Sequence, residues 1–271
     1  MNRLRVKFYV FYLVKNLINL KNMCTNPRTR LYMNKAGFSK MITFPCGKCA
    51  ECRAKKQSEF AALSVLEAEK AGSIAFFTLT YDDGNCPMMC SVVCDGEIVE
   101  QYLYDYKTCA PQRFYDEVHY SLCRKHVQAW LKRYREDYSR RHDGKRVDLR
   151  YSFFGEYGER TQRPHYHMLV YGLEKSECER LRLSWQFGFS DMRFLSHFNS
   201  DGSDAFAKVS RYVSKYISKG DFLPDFVKAG YAEKPRMQSS VRLGVRDFNV
   251  DEYRDFILPE MRLIACADVI N

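Results

Sequence analysis

Hydrophobic and polar positions change rhythm several times along this chain, and each rhythm predicts an element. From Lys56 to Lys70 apolar residues recur at helical spacing (Phe60, Leu63, Leu66) and Gly72 follows as a stop, which predicts a helix. The run Ile74-Ala75-Phe76-Phe77-Thr78-Leu79-Thr80-Tyr81 is β-branched and aromatic and is closed by Asp82-Asp83-Gly84, which predicts a buried strand. A second helix is expected over roughly 122–138, with Val127, Trp130, Leu131 and Tyr134 as its inner stripe. Leu149 to Tyr157 and His165 to Tyr171 read as two strands joined by a polar turn containing Gly158 and Pro164. Helices from Glu174 to Trp185 and from about Asp204 to Lys219 follow, with an undetermined stretch between them. The order strand, helix, strand, strand, helix, helix predicts an α+β fold with a central antiparallel sheet and helices packed on it.

The remaining segments set the domain organisation. Residues 24–56 read as a loop-like, Cys-containing module, and 85–115 as an insertion rich in Cys, Tyr and turn residues. The expected division is an extension (1–23), the Cys-rich module (24–56), a main domain (57–245) carrying the insertion, and a tail (246–271). The extension opens with Arg3, Arg5 and Lys7 before the apolar run Phe8 to Val14, an imitation of a signal peptide. Lys15 and Asn16 interrupt that run and no small-residue cleavage site follows; an over-long start ahead of Met23 is the other reading. No run of about 18 apolar residues occurs, so no membrane span is expected.

Composition narrows the partners. With 46% hydrophobic and 15% aromatic residues, wholesale disorder is excluded. The balance of 43 Lys+Arg against 33 Asp+Glu gives +10 and points to a polyanion. Arg124 to Arg150 holds ten basic and four acidic residues. Within this region, on the second predicted helix and just past it, Lys125, Lys132, Arg133, Arg135, Arg140 and Arg141 are candidate DNA contacts, with Tyr134 and Tyr138 as candidate stacking platforms; a merely solvated helix face is the competing reading. Eleven cysteines, an odd count, suit a reducing compartment better than a disulfide framework. Cys46, Cys49 and Cys52 stand at zinc-like gaps with Cys24 as a distant fourth, and either a zinc site or reduced structural thiols would account for them. The wider spacing of Cys86, Cys90 and Cys94 is a weaker signal.

Two segments carry candidate chemistry. In Arg163-Pro164-His165-Tyr166-His167 the histidines are two apart on a strand, so they share a face and can reach one divalent ion. An antiparallel hairpin would bring Glu156, from Gly155-Glu156-Tyr157-Gly158, beside them as a third ligand, leaving positions open for substrate oxygens. The competing reading makes one histidine a turn cap and the other a core residue. In the predicted helix, Tyr212 and Tyr216 lie four apart on one face, and Lys215 and Lys219 each follow a tyrosine by three. A free phenol, with a pKa of about 10, is a poor nucleophile at neutral pH. A neighbouring ammonium would favour phenolate and stabilise charge on a reacting phosphate. The competing reading is an amphipathic helix that buries its tyrosine rings.

Taken in order, these motifs resemble a known family. Paired histidines on a strand followed by helical tyrosines are similar to the HUH endonucleases that start rolling-circle replication, whose first motif the strand Phe76 to Tyr81 resembles. Cys46 to Cys52, Gly155 to Gly158, Arg163 to His167 and Tyr212 to Tyr216 together resemble the replication initiation proteins of microviruses, gokushoviruses in particular, over about residues 24–245. The resemblance implies an HUH endonuclease-like fold and a metal-dependent nick in single-stranded origin DNA by tyrosine attack. The products would be a 5′-phosphotyrosyl link and a free 3′-hydroxyl, and reversal would rejoin ends when rolling-circle replication terminates. It implies Mg²⁺ or Mn²⁺ at His165, His167 and Glu156, with Tyr212, Tyr216, Lys215 and Lys219 as catalytic groups. Host helicase and polymerase would be partners, since no Gly-x-x-x-x-Gly-Lys-Ser/Thr loop occurs, and the cytoplasm of an infected bacterium the location. An HUH transposase or relaxase, and a non-catalytic zinc-stabilised single-strand binding protein, are the competing functions.

Overall fold

The β-branched and aromatic run at 74–80 is the strand around which the rest assembles. In this computed structural model, residues 24–33, 39–104, 114–195, 204–215 and 223–245 are described. In chain order the first elements are β1 (Arg28–Met33), β2 (Ser39–Phe44), α1 (Ala50–Ala71), β3 (Ile74–Thr80), β4 (Met88–Cys94), β5 (Glu97–Tyr104), β6 (Glu117–Tyr120) and α2 (Arg124–Arg141). There follow β7 (Arg150–Tyr157), β8 (Pro164–Tyr171), α3 (Lys175–Leu183), β9 (Ser190–Leu195), α4 (Ala205–Ser214), α5 (Asp225–Ala229) and β10 (Met237–Ser239). The expected α+β class holds: five antiparallel strands in the order β10-β7-β8-β3-β9 form a central sheet with helices on both faces.

Strand alternation sorts the core into two layers. Ala75, Phe77 and Leu79 of β3, with Tyr166, Met168 and Val170 of β8, pack against Val127, Trp130 and Leu131 of α2 and Leu181 of α3. The Trp130 ring meets Phe77 edge-on at 6.2 Å, and its indole N–H donates to the Leu181 carbonyl at 3.0 Å. The opposite face, Ile74, Leu169, Tyr171 and Phe154, is covered by Phe60 and Ala68 of α1 and Phe206 and Val213 of α4. Gly155 of β7 lets Leu122 close over the first layer, because a Cβ there would lie 2.6 Å from a Leu122 methyl.

One expectation is corrected and others are filled in. Residues 24–56 are not loop-like: β1 and β2 form an antiparallel ribbon, and α1 starts at Ala50, ahead of Lys56. Every residue of β1 is exposed, so the ribbon has no half-buried face to impose an apolar alternation. The insertion is a three-stranded sheet in the order β5-β4-β6, and the undetermined stretch contains the edge strand β9. The last predicted helix is described from Ala205 to Ser214; Tyr216 and Lys219 lie outside the described residues, as do 1–23 and 246–271. Among the described residues no helix is long and apolar enough to cross a membrane.

A buried ion pair ties α1 to the sheet. Arg150 on β7 donates to both carboxylate oxygens of Glu67, at 2.7 and 3.0 Å, and the Gly244 amide donates to the same carboxylate at 2.6 Å. Removing one member of such a pair leaves the other charged and buried. Glu67→Ala is expected to cost about 3–5 kcal/mol in chemical denaturation, and the double change Glu67→Met with Arg150→Met to recover most of it.

Candidate active site

The β7–β8 hairpin is closed by a tight turn in which the Gly158 amide donates to the Arg163 carbonyl at 3.0 Å. Its register pairs Glu156 with His165 and Phe154 with His167. Because His165 and His167 are two apart and Glu156 is directly across, all three side chains leave the same face of the sheet. A single Glu156 oxygen lies 3.4 Å from His165 Nε2 and 3.2 Å from His167 Nε2. One ligand atom from each of the three falls within 4.8 Å of the others.

Neighbouring groups orient the rings. His165 Nδ1 lies 3.3 Å from the Arg163 carbonyl, which can only accept, so a neutral ring with its proton on Nδ1 would turn the Nε2 lone pair toward Glu156. His167 Nδ1 lies 3.3 Å from the Thr78 hydroxyl, and Phe76 stacks on the His167 ring at 5.5 Å and 10°. A lone-pair nitrogen facing a carboxylate oxygen is repulsive unless a positive charge stands between them. A divalent ion fits that place: ligands about 2.1 Å from a shared ion lie about 3.0–3.4 Å apart, as the Glu156 oxygen does from each imidazole. The donor set of two imidazoles and one carboxylate suits such an ion and leaves coordination positions for substrate oxygens.

Tyr212 lies on the same side of the sheet. Its ring meets Phe76 edge-on at 5.8 Å and 87°, so one phenylalanine separates it from the His167 imidazole. The side chain is half exposed, at 49%, and Lys215 caps the described helix beside it. Tyr166, between the two histidines, points into the opposite layer; burial pushes its phenol well above the ordinary value, and its hydroxyl accepts from the Cys123 amide at 2.7 Å. It is therefore unsuited to nucleophilic attack.

The basic residues of α2 are not brought to this site. They belong to a helix on the opposite face of the sheet, and several are engaged there. Arg141 donates to both Glu177 oxygens at 2.7 and 2.8 Å and to Asp137 at 2.8 Å. Lys132 lies 3.8 Å from Glu136 and Arg140 4.0 Å from Asp137; Arg133 covers the Phe187 ring and Arg135 the Tyr151 ring. Lys125 is exposed on the same helix. Tyr134 is buried and donates to Glu177 at 2.8 Å, and Tyr138 stacks on His142, so neither presents a free face for a base. Thr78 and Phe76, which hold His167, are not singled out by the sequence pattern; their signal is the parity of the β3 run, in which Phe76, Thr78 and Thr80 share a face.

A second group brings together the sulfurs of Cys24, Cys46, Cys49 and Cys52, all within 4.8 Å of one another. Cys86, Cys90 and Cys94, spread before and along β4, form no such group among the described residues.

Comparison with known proteins now decides the family. A family model for replication-associated proteins of the ORF2 type matches residues 74–221, more than half of the chain. The chain belongs to this replication-associated protein family. The match runs from β3 through α4 and so holds Glu156, His165, His167 and Tyr212, while the four clustered cysteines precede it. Replication-associated protein ORF4 of Chlamydia phage 1 is 25% identical over 232 residues, covering 79% of this chain and 47% of the relative. Replication-associated protein ORF2 of Spiroplasma virus 4 is 23% identical over 247 residues, covering 88% and 66%. Replication-associated protein VP4 of Bdellovibrio phage phiMH2K is 24% identical over 195 residues, covering 66% and 50%. The chain spans about half to two thirds of the length of these relatives. No solved structure matches it. The resemblance drawn from the ordered motifs is borne out by this family membership.

The cysteine group yields a chemical test of its geometry. Amides of Lys48 and Cys49 donate to the Cys46 sulfur and hold its thiol down to about 6, while burial pushes Cys52 up to about 12. Thiolate, not thiol, is the nucleophile. In chelator-treated protein, iodoacetamide is expected to label Cys46 ahead of Cys52, at a rate that rises through about pH 6 and is level by about pH 8. Lys48→Pro, which deletes one donor amide, should move that midpoint upward, as peptide mapping across a pH series would show.

Proposed function

We propose that this chain initiates replication of a small single-stranded DNA phage by nicking origin DNA with a tyrosine. The observation that carries this reading is that a half-exposed phenol, Tyr212, and a three-residue ligand set, Glu156, His165 and His167, occupy one face of one sheet, linked by the Phe76 ring. Membership of a replication-associated family supports the same reading.

Glu156, His165 and His167 would hold Mg²⁺ or Mn²⁺, and the bound ion supplies charge that polarises a scissile phosphate. The chain's own groups do the rest. The tyrosine oxygen forms a bond to phosphorus as the bond from phosphorus to the 3′ oxygen breaks. The phenol loses its proton, and the departing 3′ oxygen ends as a hydroxyl. One phosphoester replaces another, so no external energy source is required and the reverse step rejoins ends. Lys215 presents an ammonium beside Tyr212 to offset charge on the reacting phosphate. Tyr216, with Lys219, serves as the second nucleophile, so that a new cut and the resolution of the first link share one site. Strand separation and synthesis fall to host helicase and polymerase in the cytoplasm of an infected bacterium.

The decisive experiment incubates labelled origin single strands with Mn²⁺ and the chain, then looks for an SDS-resistant protein–DNA adduct. The double change Tyr212→Phe with Tyr216→Phe, and separately His165→Ala or added chelator, is expected to abolish the adduct. Binding without any adduct in the unmodified chain would reduce it to a single-strand binding protein. Adduct surviving in the tyrosine double variant would place the nucleophile elsewhere. Thr78→Val, which removes the group that orients His167, is expected to weaken Mn²⁺ binding roughly tenfold by titration calorimetry.

A further inference from the structure

The net charge of this chain is confined to one part of it. Residues 1–50 contain ten Lys and Arg and no Asp or Glu; of 43 basic and 33 acidic side chains in all, 51–271 hold 33 of each and are neutral. Within that acid-free stretch, the described portion is the β1–β2 ribbon and the cysteine cluster.

The ribbon has two unlike faces. Its register pairs Arg28 with Phe44, Arg30 with Ile42 and Tyr32 with Lys40. These six residues share one face, which therefore interleaves three cations with Tyr32 and Phe44; the other face has no charged residue. Arg28, Arg30, Tyr32 and Lys40 are all exposed. One positive group in each cross-strand pair, with an aromatic ring at either end of the row, matches a single strand of nucleic acid, whose phosphates repeat and whose bases offer stacking faces.

A two-stranded ribbon is marginal in water without support. Here the support is the cysteine cluster. Cys24 precedes β1 and Cys46 follows β2, while Cys49 and Cys52 lie at the start of α1. The Cys46 and Cys52 sulfurs are 3.9 Å apart, as are those of Cys24 and Cys49. Thiolates at 2.3 Å from a tetrahedral zinc ion lie about 3.8 Å apart. The Lys48 and Cys49 amides donate to the Cys46 sulfur at 3.4 and 3.3 Å, and the Cys46 amide to the Cys24 sulfur at 3.2 Å. Gly47, at φ +73°, makes the left-handed turn this wrapping requires.

The cluster also lies toward the reactive end of the sheet. Along α1, Ser64 bonds to Tyr171 and, one turn nearer the N-terminus, Phe60 meets Phe154. From Phe60 to Cys52 the helix advances about 12 Å. In the same direction, β7 reaches Glu156 in about 7 Å. The zinc-type cluster thus stands past the end of the sheet that carries Glu156 and His165.

We propose that Cys24, Cys46, Cys49 and Cys52 hold one structural zinc ion, and that this ion locks the β1–β2 ribbon as an arm along the DNA strand. Arg28, Arg30 and Lys40 take phosphates, and Tyr32 takes a base. The identity of the occupant rests on the nicking reading above; the zinc site does not.

The test uses the full chain. Elemental analysis of purified protein is expected to find one zinc per chain, lost in Cys46→Ser with Cys49→Ser. Binding to an oligothymidylate is then measured by fluorescence anisotropy across a salt series. The triple change Arg28→Ala, Arg30→Ala and Lys40→Ala is expected to keep its zinc. It should lose on the order of tenfold or more in affinity at 0.1 M salt, with a log–log salt slope shallower by about 2. Lys132→Ala with Arg140→Ala, on α2, should change affinity less than about twofold, since exposed charges far from a contact contribute little. Absence of stoichiometric zinc overturns the site. An unchanged slope in the triple variant, or an equal loss in the α2 variant, overturns the arm. The adduct assay on the unmodified chain is independent: ribbon-dependent binding with no adduct sinks the nicking reading alone, and adduct with ribbon-independent binding sinks the arm alone.

Discussion

A pleated strand sends successive side chains to opposite faces, and that constraint determines where Glu156, His165 and His167 stand. In β8 the sequence His165-Tyr166-His167-Met168 divides strictly, with imidazoles to one side and Tyr166 and Met168 to the other. A slip of one residue would exchange the two sets. The apolar layer forbids it: the Tyr166 hydroxyl accepts from the Cys123 amide, and Gly155 leaves space that Leu122 fills. Packing on the α2 side therefore holds the register that aims Glu156, His165 and His167 at the other side.

The second layer sets the height of the tyrosine helix. The Ser64 hydroxyl of α1 lies 2.8 Å from that of Ser210 on α4 and 2.8 Å from the Tyr171 hydroxyl, which is itself 3.2 Å from Ser152. These are buried groups, and buried polar atoms are costly unless each finds a partner. Only one translation of α4 along α1 satisfies all four. Tyr212 is two residues past Ser210, about 3 Å further along the helix, so the hydroxyl set that satisfies the core also puts the phenol over Phe76.

How much of this was legible in the sequence follows from what each element buries. β3, β7, β8 and the helices they pack against have one or two buried faces, so their periodicity was visible, and the hairpin placed Glu156 beside the histidines. The ribbon escaped because no residue of it is buried, and β9 and β10 because they are edge strands. Thr78 was unreadable as a histidine partner, since its role depends on a pairing between residues 89 apart in the chain. The pairing of Arg141 was unreadable for a related reason: whether a cation is available depends on the carboxylate across from it, and Glu177 lies on a different helix from Arg141.

That last point separates two kinds of basic surface. On α2, cations alternate with acids that reach them: Asp137 and Glu177 hold Arg141, and Glu136 lies beside Lys132. The field of each cation paired in this way is screened within a few ångströms by its partner. For the ribbon the nearest acidic residue in sequence is Glu51, seven residues past its last strand and between Cys49 and Cys52. Among the described residues no acid pairs with Arg28, Arg30 or Lys40, so a phosphate chain would release its counterions there without breaking an ion pair seen in the structure. On the arm reading, twelve ribbon residues with three cations and no acid would contribute more to polyanion binding than a helix with more than twice as many arginines and lysines. The sum of charge along a chain points to a polyanion; on the arm reading, the placement of the acids says where it would lie.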